Sequence, residues 1–368
     1  MKRALSLALI IAAVTLMNFR SAMGGEKGAI RVIVPAPDDD RFCHLSWPKV
    51  VKAKDGSIVV ACIAGRKHVN GDGCPAVSVS IDGGQTFSAP DVLKTFDSTM
   101  RYQHAANLAM GIAEDGAIVL MAMAFTDDLR NNIYGWRSED NGVTWESTET
   151  SEIGESKTGS VFGHVFQVPK KGLAVCGHYR KPRGDGLWIA YSQDHGKTWG
   201  PSQTISTKKY FEPTFIRTER RLVGLVRENS AHAYHQYTSD DLGASWQFQP
   251  SVIQGSKKAV HPSPFIVSHP NQPDQLYALQ TERIGENQIH LWQAESGTLR
   301  WERKRLVASA PGVEDFGYPW MTHLAGNDWF VVYYAGQKDG PNSIYGGTIT
   351  IAPCVVRNTG NVHANAHR

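Results

Sequence analysis

Beyond residue 17 this 368-residue sequence holds no apolar run of the roughly 20 residues a membrane-spanning helix needs. Cysteine is sparse, five in all, which excludes a small domain held together by disulfides in place of a core. A charge excess of either sign is nearly missing as well: 38 Lys and Arg against 35 Asp and Glu leave +3. Three of the basic residues, Lys2, Arg3 and Arg20, sit in the leader described below, so the rest of the chain is close to neutral. Nucleic acid and anionic membrane surfaces therefore lose their electrostatic case as partners. The histidines lack the short ligand spacing of a zinc site and nothing reads as an EF-hand, so neither a metal nor a cofactor is expected. What is present, 41% apolar, 20% charged and 10% aromatic residues, suits a chain with ample core that is neither disordered nor collagenous.

The leader runs from the basic pair Lys2-Arg3 through an apolar stretch, Ala4 to Met17, to the small residues Ala22 and Gly24. This is the pattern of a secretory signal peptide over residues 1–24. It leaves residues 25–368 as a single domain, expected to be secreted or periplasmic. In an oxidising compartment five cysteines permit two bridges and one spare thiol: Cys62 with Cys74 across a hairpin, and Cys43 with Cys354 joining the chain ends. Free buried cysteines are the alternative.

A motif of the form S-x-D-x-G-x-T-W recurs at Ser80–Phe87, Ser138–Trp145, Ser192–Trp199 and Ser239–Trp246, with a degenerate copy at Ala294–Trp301. Its aspartates, Asp82, Asp140, Asp194 and Asp241, lie 58, 54 and 47 residues apart, the length of a four-stranded unit. Asp and Ser can bond turn amides, the glycine supplies a positive φ, and the aromatic packs back on the sheet, so the box reads as a structural hairpin staple. Between the boxes run six pairs of apolar segments around a turn, such as Pro48–Cys62 and Ala105–Met123, with little helical periodicity. Two such strands plus the box hairpin make four, and about 344 residues over six units gives about 57 each. The expected fold is all-β, a six-bladed β-propeller, with the early strand Ala29–Pro35 completing the last blade and protecting its edge.

In such a ring the start of each first strand and the end of each second strand converge on one mouth. The starts place His44 and Ser46, His104, His164, Glu212, His261 and Tyr318 there. The ends add Arg66, Asp127, His178 with Arg180, Arg227, Arg283, and Tyr334 with Lys338. Convergent polar groups of this kind mark a ligand site.

With its repeated Asp-box and these mouth residues, the chain resembles the sialidase (neuraminidase) superfamily over nearly all of residues 25–368. Gly65-Arg66 followed by Asp72-Gly73 and the first box is similar to the segment with the general acid/base aspartate, which implies that role for Asp72. Glu212-Pro213, a strand, then Arg227-Glu228-Asn229 resembles the segment with the activating glutamate and the second arginine of a carboxylate-binding triad. Arg283 falls where the third is expected, and Tyr318 in Gly317-Tyr318-Pro319 matches the nucleophilic tyrosine. The resemblance implies an exo-acting glycoside hydrolase releasing a terminal, anionic sugar from a glycan with retention of configuration. A neutral tyrosine avoids the repulsion that a carboxylate nucleophile would meet beside the carboxylate of sialic acid, and arginines grip that carboxylate in bidentate fashion.

One position departs from the family. Aligning Pro48 with the proline of the Arg-Ile-Pro segment puts Ser46 in place of the first triad arginine, with Arg66, His44 and Arg41 nearby but not at that position. His44, His104 and His164 also set the pocket apart, and can serve a different sugar or donate a proton. Two other readings stay open: a non-catalytic glycan-binding propeller, and a polysaccharide lyase using His and Tyr as base and acid.

Overall fold

The computed structural model describes residues 28–352 other than 70, 127, 129, 231 and 284. The leader, Cys354 and Asp127 lie outside them. The described chain is all-β: 24 strands in six successive antiparallel sets of four. Among the described residues no helix is long and apolar enough to cross a membrane.

The first strands of the six blades are His44–Lys52, His104–Ile112, Gly159–Val168, Phe211–Arg217, Phe265–His269 and Asp315–Ala325. Each touches the first strand of the next blade, and the last touches the first. Second strands such as Ile58–Gly65 and Ile118–Phe125 are buried at every position. Both of their faces are covered by neighbouring blades, which explains why they read as unbroken apolar runs instead of alternating ones. The sixth blade consists of Asp315–Ala325, Asp328–Gly336 and Asn342–Thr350, and its fourth strand is Arg31–Val34, paired antiparallel with Asn342–Thr350 through Arg31↔Gly346 and Val32↔Tyr345. The strand expected from the N-terminal side thus lies where the last blade lacked a partner.

The four clear boxes share one set of bonds. In the first, Asp82 Oδ1 accepts from Ser80 Oγ at 2.7 Å and from the Thr86 amide at 2.9 Å, Oδ2 accepts from Thr86 Oγ1 at 2.5 Å, and the Gly84 amide donates to Ser80 Oγ at 2.8 Å. Ser138-Asp140, Ser192-Asp194 and Ser239-Asp241 repeat it. The box glycines also abut the preceding blade: a Cβ added at Gly84 would meet Phe330, and one at Gly142 or Gly196 would lie 2.8 Å from Val59 or Val119. The box therefore ties blade to blade as well as closing its own hairpin.

The Cys62–Cys74 bridge does not form, and both cysteines are free and buried. They lie on paired strands, but Cys62 stands opposite Ala76 and Cys74 opposite Ala64, so the register sets them on a diagonal instead of facing each other. Cys43 and Cys176 are also free.

Candidate active site

The site is built on one backbone irregularity repeated around the ring. In five blades the pairing of first with second strand slips near the mouth, at Ser46/Lys49, Ala106/Leu108, Phe162/Val165, Phe211/Thr214 and Gly317/Trp320. Within each slip one residue has a positive φ: Trp47 (52°), Asn107 (53°), Gly163 (99°), Glu212 (49°) and Tyr318 (52°). In the fifth blade Ser263 (54°) occupies the same place just before the strand. A bulge of this kind re-aims a side chain that a regular strand would bury in the sheet. It costs a non-glycine residue about 1 kcal/mol or more, as is common at functional sites. Trp47, Asn107, Glu212 and Tyr318 line one cavity of about 360 Å³, together with Lys67 and His68 from the first blade and Arg180 from the third.

Glu212 and Tyr318 form a hydrogen-bonded pair in its wall. The Tyr318 hydroxyl donates to Glu212 Oε1 at 2.5 Å, while Oε2 accepts from Arg227 Nη1 at 2.7 Å and from the Ser263 amide at 2.8 Å. Burial pushes the Glu212 carboxyl up, but the Arg227 charge and the hydrogen bonds from Tyr318, Arg227 and Ser263 outweigh it and hold the group down at about 2. Tyr318 moves the other way: burial, then the Glu212 charge, raise it above its ordinary 10 against the pull of Arg227 and Arg283. The resting pair is therefore a neutral phenol donating to an ionised carboxylate. Arg283 lies alongside, its charge 5.5 Å from the centre of the Tyr318 ring, with Nε donating to the Phe316 carbonyl at 2.5 Å and Nη2 donating to Tyr334. Arg227 and Arg283 each face an internal carboxylate, Glu212 and Asp315 respectively.

Asp72 has a positive φ of 53° and lies between Gly71 and Gly73, both of which line the cavity. Its amide donates to His104 Nδ1 at 3.2 Å, and its carboxylate lies 3.3 Å from Arg66 Nε and 3.7 Å from His104 Nδ1. Asp72, Arg66 and His104 thus make one group beside the cavity. Ser46 is 1% exposed, with its hydroxyl toward the Ile63 carbonyl at 3.5 Å; Trp47 is the residue from this segment that faces the cavity. His164 packs on Trp320 and Phe265 with Nε2 2.8 Å from the Ile266 carbonyl, and burial, with the Lys49 charge, lowers it to about 4. His44 is buried with Nδ1 2.9 Å from the Gly340 carbonyl. His261 bonds the Thr281 and Ser256 carbonyls.

Trp47, Asn107, Lys67, His68 and Ser263 were not among the expected site residues, and one signal would have found two of them. In four blades the residue at this place precedes a proline: Trp47-Pro48, Glu212-Pro213, Ser263-Pro264 and Tyr318-Pro319. A proline fits there because a bulge leaves a backbone amide out of the ladder. Sequence reasoning also missed Lys49, wholly buried with its ammonium 4.3 and 4.2 Å from the Phe162 and Trp320 ring centres. Burial lowers it to about 7, with the Glu212 charge opposing.

Residues 77–327, the greater part of the chain, match the family model of the BNR repeat-like domain. The chain belongs to that family. No curated protein matches it. Among solved structures, this BNR-repeat protein is similar to a Dyadobacter fermentans protein of unknown function, with a TM-score of 0.70 and 19% identity over 88% of this chain and 99% of that one. It is similar also to the Hadza microbial sialidase Hz136, at 0.69 and 18% over 88% and 68%. A leech intramolecular trans-sialidase follows at 0.68 and 13%, over 89% and 71%. At these identities the likeness is one of fold, and the fold is the sialidase type of β-propeller.

Proposed function

We propose that this BNR-repeat protein is an exported, retaining exo-glycosidase of sialidase type, acting on a terminal anionic sugar. The observation that carries the reading is the Tyr318–Glu212 pair at the wall of the 360 Å³ cavity, with two arginines beside it. Tyr318 Oη attacks the anomeric carbon as the bond to the leaving oxygen breaks, and its proton passes to Glu212 Oε1. Because Glu212 is a weak base at rest and Tyr318 a weak acid, the proton moves only as the C–O bond forms, with Arg227 and Arg283 offsetting the charge that develops on the phenol oxygen. Asp72 protonates the leaving oxygen. It then takes a proton from water, which attacks the same carbon; the bond to Tyr318 breaks and Glu212 returns the proton.

The substrate carboxylate is read differently from a three-arginine site. Arg227 and Arg283 face Glu212 and Asp315, and Ser46 supplies no charge. Arg180 lines the cavity, is partly buried and forms no ion pair with a described residue. Its charge also acts on Glu212, but with no described carboxylate at ion-pair distance the guanidinium suits a substrate carboxylate. The test is release of fluorophore from a panel of 4-methylumbelliferyl glycosides, sialosides and uronides included, by wild type and Tyr318→Phe. Turnover of an anionic member that is lost in the variant supports the reading, as does an NMR time course in which the retained anomer appears first. First release of the inverted anomer excludes Tyr318 as nucleophile, and an unsaturated product points to a lyase.

A further inference from the structure

Three side chains that the proposed reaction does not use meet at the seam between the first and last blades. His44 opens the first strand of the first blade, and its backbone pairs in parallel with Asn342 of the last blade. Asp315 opens the first strand of the last blade, and His68 lies in the loop after Ile58–Gly65. Asp315 Oδ2 is 2.7 Å from His68 Nδ1 and 3.3 Å from His44 Nε2, and the three donor atoms all lie within 4.8 Å of one another. Asp315 Oδ1 is taken up on its other side by Tyr334, whose hydroxyl donates at 2.9 Å, and by Arg283 at 3.4 Å, and Asn342 Nδ2 lies 3.4 Å from Oδ2.

His44 makes this cluster more than a polar network. Its Nδ1 lies 2.9 Å from the Gly340 carbonyl, which can only accept, so Nδ1 carries the hydrogen. In the neutral imidazole Nε2 is then a bare lone pair. It is buried, has no hydrogen-bond partner, and faces a carboxylate oxygen. Two lone pairs facing each other in a buried place repel unless something positive lies between them. A backbone carbonyl that fixes the far ring nitrogen is also what orients a histidine ligand toward a metal. At bond lengths of about 2.0–2.2 Å, neighbouring donors around a tetrahedral or octahedral ion are roughly 2.9–3.4 Å apart, and the two spacings from Asp315 Oδ2, 2.7 and 3.3 Å, lie near that range.

We propose that His44 Nε2, His68 Nδ1 and Asp315 Oδ2 bind a divalent transition-metal ion of the Zn²⁺ class, clasping the first blade to the last. Two nitrogen donors and a single carboxylate select against Ca²⁺ and Mg²⁺, which take oxygen ligands. The ion bridges strands that are remote in sequence and comes together only in the folded ring, so its binding stabilises the fold. His68 also lines the cavity, so the site borders the Tyr318–Glu212 pair without contributing to the steps above.

The test uses the whole mature chain carrying no polyhistidine tag, stripped with EDTA and dialysed against ZnCl₂. Wild type is expected to retain one zinc per chain by elemental analysis beyond what His68→Asn retains, and to melt several degrees higher with zinc than without. Co²⁺ in place of Zn²⁺ is expected to give visible d–d absorption that His68→Asn lacks. His68→Asn changes a partly exposed loop residue and should fold, and His44→Gln serves as the second variant. No retained zinc in wild type, or equal retention and equal melting shifts in wild type and His68→Asn, overturns the proposal. None of these readouts involves glycoside turnover, so the site and the proposed activity stand or fall separately.

Discussion

Tyr318 and Glu212 meet across 106 residues of sequence, hydroxyl to carboxylate at 2.5 Å, because each sits at the same bulge of its own blade with nearly the same left-handed φ. The catalytic proposal rests on that shared address. Tyr318→Phe is expected to lower turnover per folded molecule by about 10²–10⁴-fold while shifting the urea midpoint little, since Glu212 keeps Arg227 and Ser263. Glu212→Gln should do similar damage to turnover and also destabilise by about 3 kcal/mol, because it leaves the Arg227 charge unpaired in a largely buried place. Kinetics beside denaturant titration of the same preparations separates the two effects.

Arg180 and Ser46 give opposite expectations for substrate charge. Arg180→Gln should reduce kcat/KM for carboxylated glycosides roughly ten- to hundredfold, about 1.4–2.8 kcal/mol of transition-state binding, and leave neutral glycosides nearly unchanged. Ser46→Arg would have to place a guanidinium in a position that is 1% exposed. It should melt at lower temperature and bring no gain on sialosides. A folded Ser46→Arg variant with improved sialoside turnover would show that this position reaches the substrate after all.

For the boxes, Asp140→Ala removes the acceptor for Ser138 Oγ, the Thr144 amide and Thr144 Oγ1. A melting temperature lower by several degrees with unchanged turnover per folded molecule is expected. Gly142→Ala should be worse, because its φ is +90° and the new Cβ would press on Val59 of the preceding blade.

His178 links the site to acid stability. Burial, then the Arg180 charge, lower it to about 3 against the opposing pull of Glu212, and its Nδ1 accepts from the Glu212 amide. The unfolded chain takes up this proton below about 6.5 and the folded chain does not until about 3, so stability is complete above about pH 6.5 and falls as pH drops toward 3. His164, at about 4, adds to the same slope. Urea midpoints at pH 7 and 4.5 measure it, and His178→Asn should flatten it.

Lys49 acts in the alkaline range. The unfolded chain keeps its proton to about 10.5 and the folded chain releases it near 7, so wild type gains stability between those values. Lys49→Met lacks the buried ammonium. It should be more stable than wild type at pH 6, with the margin shrinking as pH rises toward 10. A constant margin in thermal melts at both ends would show that Phe162 and Trp320 fully compensate the ion.

The boxes and the blade order were legible because each rests on a local rule: a turn that needs Asp, Ser and Gly at set offsets, or an apolar run too short for a helix. Glu212 and Tyr318 were legible because each falls near the start of a first strand, and because Glu212-Pro213 and Gly317-Tyr318-Pro319 resemble segments of the sialidase superfamily. The neighbouring positions were displaced by one to three residues, with Ser46 for Trp47, His104 for Asn107, His164 for Gly163 and His261 for Ser263. A bulge adds a residue and shifts the phase of the alternation across it, but these first strands are buried on nearly every residue, so no alternation is there to show which residue turns inward. The Cys62–Cys74 bridge failed for a related reason. Two cysteines can lie on adjacent strands and still miss each other by one diagonal of the register.

The repeated bulge also bears on how such a ring can diverge. Six residues occupy equivalent places, and in this chain they offer an indole, an amide, a bare glycine, a carboxylate, a hydroxyl and a phenol. Gly163 is closed to exchange, since an added Cβ would lie 2.8 Å from the Pro213 carbonyl. The other five already hold a side chain outside the regular ladder, and four of them, Trp47, Asn107, Glu212 and Tyr318, line the cavity, so replacing one of the four changes what the cavity presents and leaves the strand pairing as it was. What the cavity presents can therefore drift one residue at a time, at Trp47 or Asn107, while the Glu212 and Tyr318 places keep their chemistry.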